Sequence, residues 1–393
     1  MVDVANIANI ETFCIELEPR RRAVMRGQPT MTERRMLVRL RTEDHLDGWG
    51  EATAQAIWGG MHGRYFGETM ETVSHVIHDL LAPSVLGSDP RSPAPIMRDM
   101  DERLIGHPWA KAAVEMAIQD ARGKAVGEPI VRLLNGSLRS GTRIAHMLGI
   151  MSDDDVLQEA EAAISNDGIT AFQVKGGEDA VRDARVLRVL RTGLPETVFL
   201  RLDVNQGYGR QPKTAAEAVK RIEDAGANAV EQPASTMEAL AACKEAVGIP
   251  VIADEGCWNA ADLLELWRHH AVDAISVYVA KSGGIASAAA LAALAYEVGF
   301  SCDLNGSLET GIGTAASLHV AQAAASATLA SVVPIPMGLT QYAGKYFNDD
   351  VVSGGFTYES GILYLTGEPG LGITVEEEKV RALTCEGGYR SSS

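Results

Sequence analysis

The chain has 393 residues, 46% of them hydrophobic and 22% charged, which is enough apolar content to bury a full core and too much for a disordered or collagen-like chain. Its 35 Lys and Arg stand against 52 Asp and Glu, and the net charge of −17 repels phosphate backbones and anionic lipid, so nucleic acid and membranes are not expected partners. No run nears the roughly 18 apolar residues of a membrane span, and acids stand in residues 1–20 where a signal peptide carries basic and then apolar residues, so a cytoplasmic protein is expected.

Residues 7–133 read as a mixed α+β unit. The alternation over 36–40 predicts antiparallel strands joined at 44–48, and 110–126 places Ala113, Met116, Ala117 and Ala121 on one face of a helix packed against a sheet. From about residue 141, short apolar runs alternate with amphipathic stretches, the pattern of βα units around a parallel sheet. Strands are predicted at 143–149, 171–175, 198–204, 229–231, 250–254, 274–281, 301–304 and 331–334, with helices at 153–165, 180–190, 214–224, 260–269 and 286–297. Eight parallel strands with intervening helices close most naturally into a barrel, although this periodicity by itself also admits a doubly wound sheet. The five cysteines, Cys14, Cys243, Cys257, Cys302 and Cys385, are odd in number, scattered and without CxxC spacing, so they are expected to be reduced and structural.

The residues at the strand ends decide between the two sheets. In order they are Lys175, Asp203 with Asn205, Glu231, Asp254 with Glu255, Lys281, and Asp303, Asn305 and Glu309. The intervals from 175 through 203, 231, 254 and 281 to 309 are 28, 28, 23, 27 and 28 residues, one βα unit each, so a closed barrel brings these side chains to its C-terminal mouth. Asp203, Glu231 and Asp254 end three consecutive strands, and three carboxylates aimed at one space repel one another unless a divalent cation sits between them. Oxygen-only donors suit Mg²⁺, or Mn²⁺ in its place, better than zinc. The other reading of strand-end carboxylates is helix capping or pairing with lysines. Lys175 and Lys281, on the second and sixth strands, are expected to face each other across the centre, where each would handle a proton on one face of a bound acid's α-carbon.

FQVKGG (172–177), LRLDVNQGY (200–208), VEQP (230–233), VIADEG (251–256), AKSGGI (280–285) and NGSLETGIGTAASLH (305–319) resemble the enolase superfamily, and within it the muconate lactonizing subgroup. GWGEAT (48–53), HPWAKAAVEMAIQDARGK (107–124) and EPGLGI (368–373) extend the likeness over almost the whole chain. The resemblance implies an α/β fold, a modified (β/α)7β TIM-type barrel over 136–345, with an α+β capping domain formed by 1–135 and the C-terminal segment 346–393. It implies Asp203, Glu231 and Asp254 as Mg²⁺ ligands, Lys175 and Lys281 as the acid/base pair, Glu309 against the substrate carboxylate, and a homo-oligomer, dimer to octamer; Asn205 and Glu255, at the same strand ends, are expected beside the substrate. The shared chemistry is abstraction of a proton α to a carboxylate, giving an enediolate held by the metal.

Two departures bear on the substrate. Gln173 stands where the subgroup often carries the first lysine of Lys-x-Lys, which weakens a simple muconate cycloisomerase reading. No His-Asp dyad occupies the later strand ends, and His319 falls inside a helix, which argues against mandelate racemase and most sugar-acid dehydratases. Specificity is expected from two loops, 20–32 and 52–69. Arg20, Arg21, Arg22 and Arg26 of the first suit a second anionic group or a solvated face, and Trp58 and Tyr65 of the second suit a cationic amine or simple packing. The expected activity is a Mg²⁺-dependent isomerase of a small carboxylate, either cycloisomerase or racemase/epimerase of an amino-acid derivative. The alternatives are a lyase dehydrating a β-hydroxy acid such as a hydroxyproline, and a metal-retaining binding barrel.

Overall fold

The computed structural model describes residues 5–20, 34–61 and 64–393. Three N-terminal strands, Ile7–Glu16, Arg34–Thr42 and Asp47–Ala52, form an antiparallel meander. The last strand of the chain, Thr384–Ser392, pairs antiparallel with the first at its outer edge, Ile10 opposite Ser392. The alternation read over 36–40 divides two buried faces rather than a buried face from a wet one. Met36, Val38 and Leu40 join a core with helix Pro108–Val126, while Leu37 joins the barrel core. Arg35 and Arg39 are buried on that second face as well, which is tolerable because each has a fixed partner: Arg35 Nε donates to Leu308 O at 2.7 Å, and Arg39 pairs with Glu11 at 2.5 Å.

Helix Pro108–Val126 is likewise buried around nearly its whole circumference, wider than the single stripe expected, because the capping sheet lies on one side and barrel helices on the other. Its contact with the sheet is made by backbone. A Cβ at Gly48 would lie 2.1 Å from Ala117 O, and one at Gly50 would lie 1.9 Å from Ala113 O, so the GWG run is what lets the strand rest directly on the helix.

Seven parallel strands follow in unbroken chain order: His146–Leu148, Ala171–Lys175, Phe199–Asp203, Ala229–Glu231, Val251–Ala253, Ala274–Val277 and Ser301–Leu304. The eighth, expected at 331–334, is reduced to one bridge, Ile144 with Ser331, flanked by bonds from Ala145 N to Ser331 O at 2.8 Å and from Gly306 N to Val332 O at 2.9 Å. Pro334 and Pro336 have no amide proton for a longer ladder, yet the single bridge still closes the ring. The sixth strand also stops early. It ends at Val277 instead of 281, and Val279–Ser282 forms a helical turn capped by Gly283 at φ 86°. Among the described residues no helix is long and apolar enough to cross a membrane.

Candidate active site

Parallel register sets the heart of the mouth. Lys175 lies opposite Asp203 on the neighbouring strand, and Asp203 opposite Glu231 on the next. Asp254 follows the fifth strand directly, with Glu255 beside it. The four carboxyl side chains belong to residues no more than 2% exposed, so water does not screen their mutual repulsion. Burial, with repulsion from Asp203 and Asp254 prevailing over the attraction of Arg201, holds the Glu231 carboxyl well above its ordinary range. Burial raises Asp254 too, and burial with the charges of Asp254 and Asp203 pushes Glu255 up to about 8. Burial opposes the charge on Lys175, but Asp203 and Glu231 outweigh it and hold the ammonium above its usual value.

Fixed donors orient part of this cluster. Gln173 Nε2 donates to Glu231 Oε2 at 2.8 Å, and Arg201 Nε lies 3.2 Å from the same oxygen while Arg201 Nη1 pairs with Asp303. Asn205 N donates to Asp203 Oδ1 at 3.0 Å, and its Nδ2 to Glu255 Oε1 at 3.2 Å. Gln173, the departure from Lys-x-Lys, therefore holds a carboxylate in place without adding charge. Lys175 Nζ sits 2.5 Å from Asp203 Oδ2, and Lys281 Nζ 2.7 Å from Asp254 Oδ1. With the lysines on these oxygens, no three carboxylates among the described residues converge closely enough to hold an ion as they stand. Glu231 Oε1 and Glu255 Oε2 are nevertheless buried without a partner. Oxygen donors on adjacent strands with unmet acceptors among them fit a hard divalent cation.

Above the cluster lies a cavity of about 340 Å³, lined by Lys175, Gln173, Asn205, Asp254 and Glu255 on its polar side. Met147, Val332, Pro334, Leu308, Ile57 and Tyr346 form much of the rest, and Trp58 closes one wall with Tyr278, its ring 5.2 Å away and edge-on. Trp58, Asn205 and Glu255 thus line the cavity. Three other residues do not. Lys281 is one turn beyond the end of its strand and fully buried behind Asp254, because the helical turn before Gly283 carries it away from the mouth. Glu309 lies behind the cavity-lining turn of Gly306, Ser307 and Leu308, where Ser307 N donates to its Oε1 at 2.7 Å; Leu308, at φ 65°, reverses the chain between the cavity and Glu309. Tyr65 stacks on Trp258 at 4.7 Å and donates to Asp262 at 2.6 Å, off the cavity. Arg26, with Arg21 and Arg22, lies outside the described residues.

Tyr278 is the strand-end residue of the cavity that sequence reasoning missed. Its interval from Asp254 is 24 residues, as good a βα spacing as the 27 to Lys281, and the signal that separates them is the Gly283-Gly284 pair, which stops a helical turn rather than a strand.

A parallel barrel capped by an antiparallel sheet, with acids and a lysine gathered at the strand C-termini, defines an α/β-barrel enzyme. The sequence matches the description Enolase C-terminal domain-like over residues 155–379, and Mandelate racemase / muconate lactonizing enzyme, N-terminal domain, over 9–135. It is 29% identical over 374 residues to the L-Ala-D/L-Glu epimerase of Bacillus subtilis (strain 168), covering 91% of this chain and 96% of that one. It is 30% identical over 386 residues to the chloromuconate cycloisomerase of Delftia acidovorans, covering 96% and 99%. The crystal structure of 2-chloromuconate cycloisomerase from Rhodococcus opacus 1CP superposes with a TM-score of 0.87 at 26% identity, over 97% of this chain and 100% of that one. The chain belongs to the enolase superfamily, in its muconate lactonizing subgroup, and it is an isomerase of that superfamily.

Proposed function

We propose that the chain is a Mg²⁺-dependent isomerase that removes or delivers a proton at the carbon α to a small carboxylate, with Asp203, Glu231 and Asp254 as ligands of the cation and Lys175 as the group that moves the proton. The observation that carries this is the unpartnered Glu231 Oε1, buried among the carboxylates of Asp203, Asp254 and Asp303, in a cluster from which Asp254 lines the same cavity as Lys175. Mg²⁺, or Mn²⁺ in its place, supplies positive charge to the substrate carboxylate when bound, which lowers the cost of charge developing there. The chain does the rest. Gln173 and Arg201 fix Glu231, Asn205 fixes Asp203 and Glu255, and Lys175 Nζ holds a proton or yields it at the cavity edge. The names of the relatives support a substrate among muconates and amino-acid derivatives. We take 1–135 with 346–393 as the cap and 136–345 as the barrel, a division supported by the pairing of Thr384–Ser392 with Ile7–Glu16. Proton NMR in D₂O with Mg²⁺ tests the function, using cis,cis-muconate, Ala-Glu dipeptides and N-succinyl amino acids. The expected result is conversion or α-deuteration of one class, abolished by EDTA and restored by Mg²⁺; turnover indifferent to EDTA defeats the reading.

A further inference from the structure

In a ring of eight the second and sixth strands stand diametrically opposed, so the residue ending the sixth strand faces Lys175 across the mouth. The strand proper ends at Val277, and the residue that takes this position is the next one, Tyr278. Its backbone is still extended, at φ −126° and ψ 131°, and its side chain lines the cavity beside Trp58. Lys281, three residues on, has a side chain with no exposure. Its Nζ donates to Asp254 Oδ1 at 2.7 Å, Asp254 O at 2.7 Å and Ser276 O at 2.9 Å, and an ammonium has only three protons to give. The rings of Tyr278 and Trp58, with centroids 4.7 Å and 5.6 Å from that nitrogen, pack against it.

The geometry points to Tyr278, not Lys281, as the residue on the substrate face opposite Lys175, with Lys281 a positioning residue for Asp254, and hence to proton traffic on a single face of the α-carbon. This rests on the proposed function and narrows its outcome. The C–H bond breaks, its electron pair passes into the carboxylate as an enediolate, and the proton passes to the neutral Nζ of Lys175; in the reverse sense the same nitrogen returns it to the same face. Interconverting two epimers requires a second group that delivers a proton to the opposite face and takes it back in the reverse direction. That side presents the Trp58 ring and the Tyr278 phenol, whose one proton is donated to Asp254 Oδ2 at 3.2 Å. Glu255, the other carboxyl group beside Asp254, is held by Asn205. The reaction class that fits is cycloisomerisation, or any isomerisation that keeps its α-proton on one face, rather than racemisation.

Two measurements test this on the full-length chain. The first is low-conversion reductive methylation of the native protein with formaldehyde and cyanoborohydride, read by peptide mass spectrometry, which needs no substrate. Lys175 is expected to be methylated at least ten-fold faster than Lys281, and equal rates overturn the assignment. The second is deuterium incorporation from D₂O into cis,cis-muconate product and into L-Ala-L-Glu and L-Ala-D-Glu, by the wild type and Lys281→Gln. Label in one configuration only is expected, with Lys281→Gln weakening Mn²⁺ binding about ten-fold by electron paramagnetic resonance without changing the labelled face, and Lys281→Arg recovering part of that affinity. Epimer interconversion that Lys281→Gln cuts to one face overturns the proposal. If the wild type acts on none of the three probes, it is the wider functional reading that fails, and the methylation rates still decide between Tyr278 and Lys281.

Discussion

Two clusters of buried carboxylates in this molecule are made of the same side chains and partnered in opposite ways. Under the N-terminus of helix Gly311–Ala323, Glu51 of the capping sheet accepts from Thr310 N at 2.9 Å and 3.0 Å, Thr310 Oγ1 at 2.7 Å and Gly313 N at 3.0 Å. Asp350, from the segment after the barrel, accepts there from Gly311 N at 3.0 Å and Val352 N at 3.1 Å. These acids meet backbone amides at a helix end, donors that cannot be removed and whose dipole favours negative charge. At the barrel mouth, Asp203 and Asp254 are held largely by lysine ammonium groups, and Glu231 and Glu255 each keep an oxygen with no partner. Burial raises the carboxyl pKa in both places, so a raised value does not distinguish them. The difference lies in whether the partners are permanent: the helix-end cluster is satisfied by backbone amides and joins cap to barrel, whereas the mouth keeps acceptors that the fold gives no donor.

That contrast is broken or sharpened by substitution. The largest effect is expected from Lys175→Ala, which should lower turnover and α-exchange by about 10³-fold, within the range of general acid/base catalysis, while leaving Mn²⁺ binding in place; retained exchange would show that the proton passes elsewhere. Next is Glu231→Gln. It is expected to weaken Mn²⁺ affinity by about 10²-fold, yet to raise the melting temperature of the cation-free protein by about a degree, since one of several repelling charges is gone. A fall in melting temperature would mean that the mouth is a structural cluster like the other. Glu51→Ala should do the reverse, leaving Mn²⁺ affinity unchanged and costing about 2–3 kcal/mol in urea denaturation, because the Thr310 and Gly313 donors are stranded in a dry site.

The mouth was legible in the sequence to the extent that it follows the βα repeat. Lys175, Asp203, Glu231 and Asp254 close apolar runs whose spacing is that of strand, helix and return, and parallel register then sets three of them side by side. Legibility fails wherever a local turn re-aims a side chain after its strand has ended. The helical turn Val279–Ser282 moves Lys281 behind Asp254 and leaves the cavity to Tyr278, and Leu308, held at φ 65° with Arg35 bonding its carbonyl, turns Glu309 out of the site. Tyr65 fails differently. Its partners Trp258 and Asp262 lie almost two hundred residues away, and no local pattern encodes that meeting. The helix-end cluster was not anticipated at all, because Glu51, Thr310 and Asp350 belong to three distant segments with no shared period.

The smallest effect expected is on pH dependence, and it comes from Glu309, which stands between the two clusters in character. One of its oxygens accepts from Ser307 N and the other is unpartnered. Burial raises its carboxyl from the ordinary 4.5 to about 7, with Glu51 adding to the rise and the Ser307 amide opposing it. Glu309 therefore binds its proton more tightly folded than unfolded. Its contribution to stability is complete below about pH 4.5 and is lost as pH rises through about 7. The full loss is on the order of 3 kcal/mol, read as the difference between wild type and Glu309→Gln, whose neutral amide stands in for the protonated acid. Urea midpoints measured from pH 5 to pH 8 should converge at the acid end and separate at the alkaline end, with the variant the more stable. Parallel midpoints across that range would mean that Glu309 is ionised in the fold at every pH, and that its second oxygen has found a donor as permanent as those of Glu51.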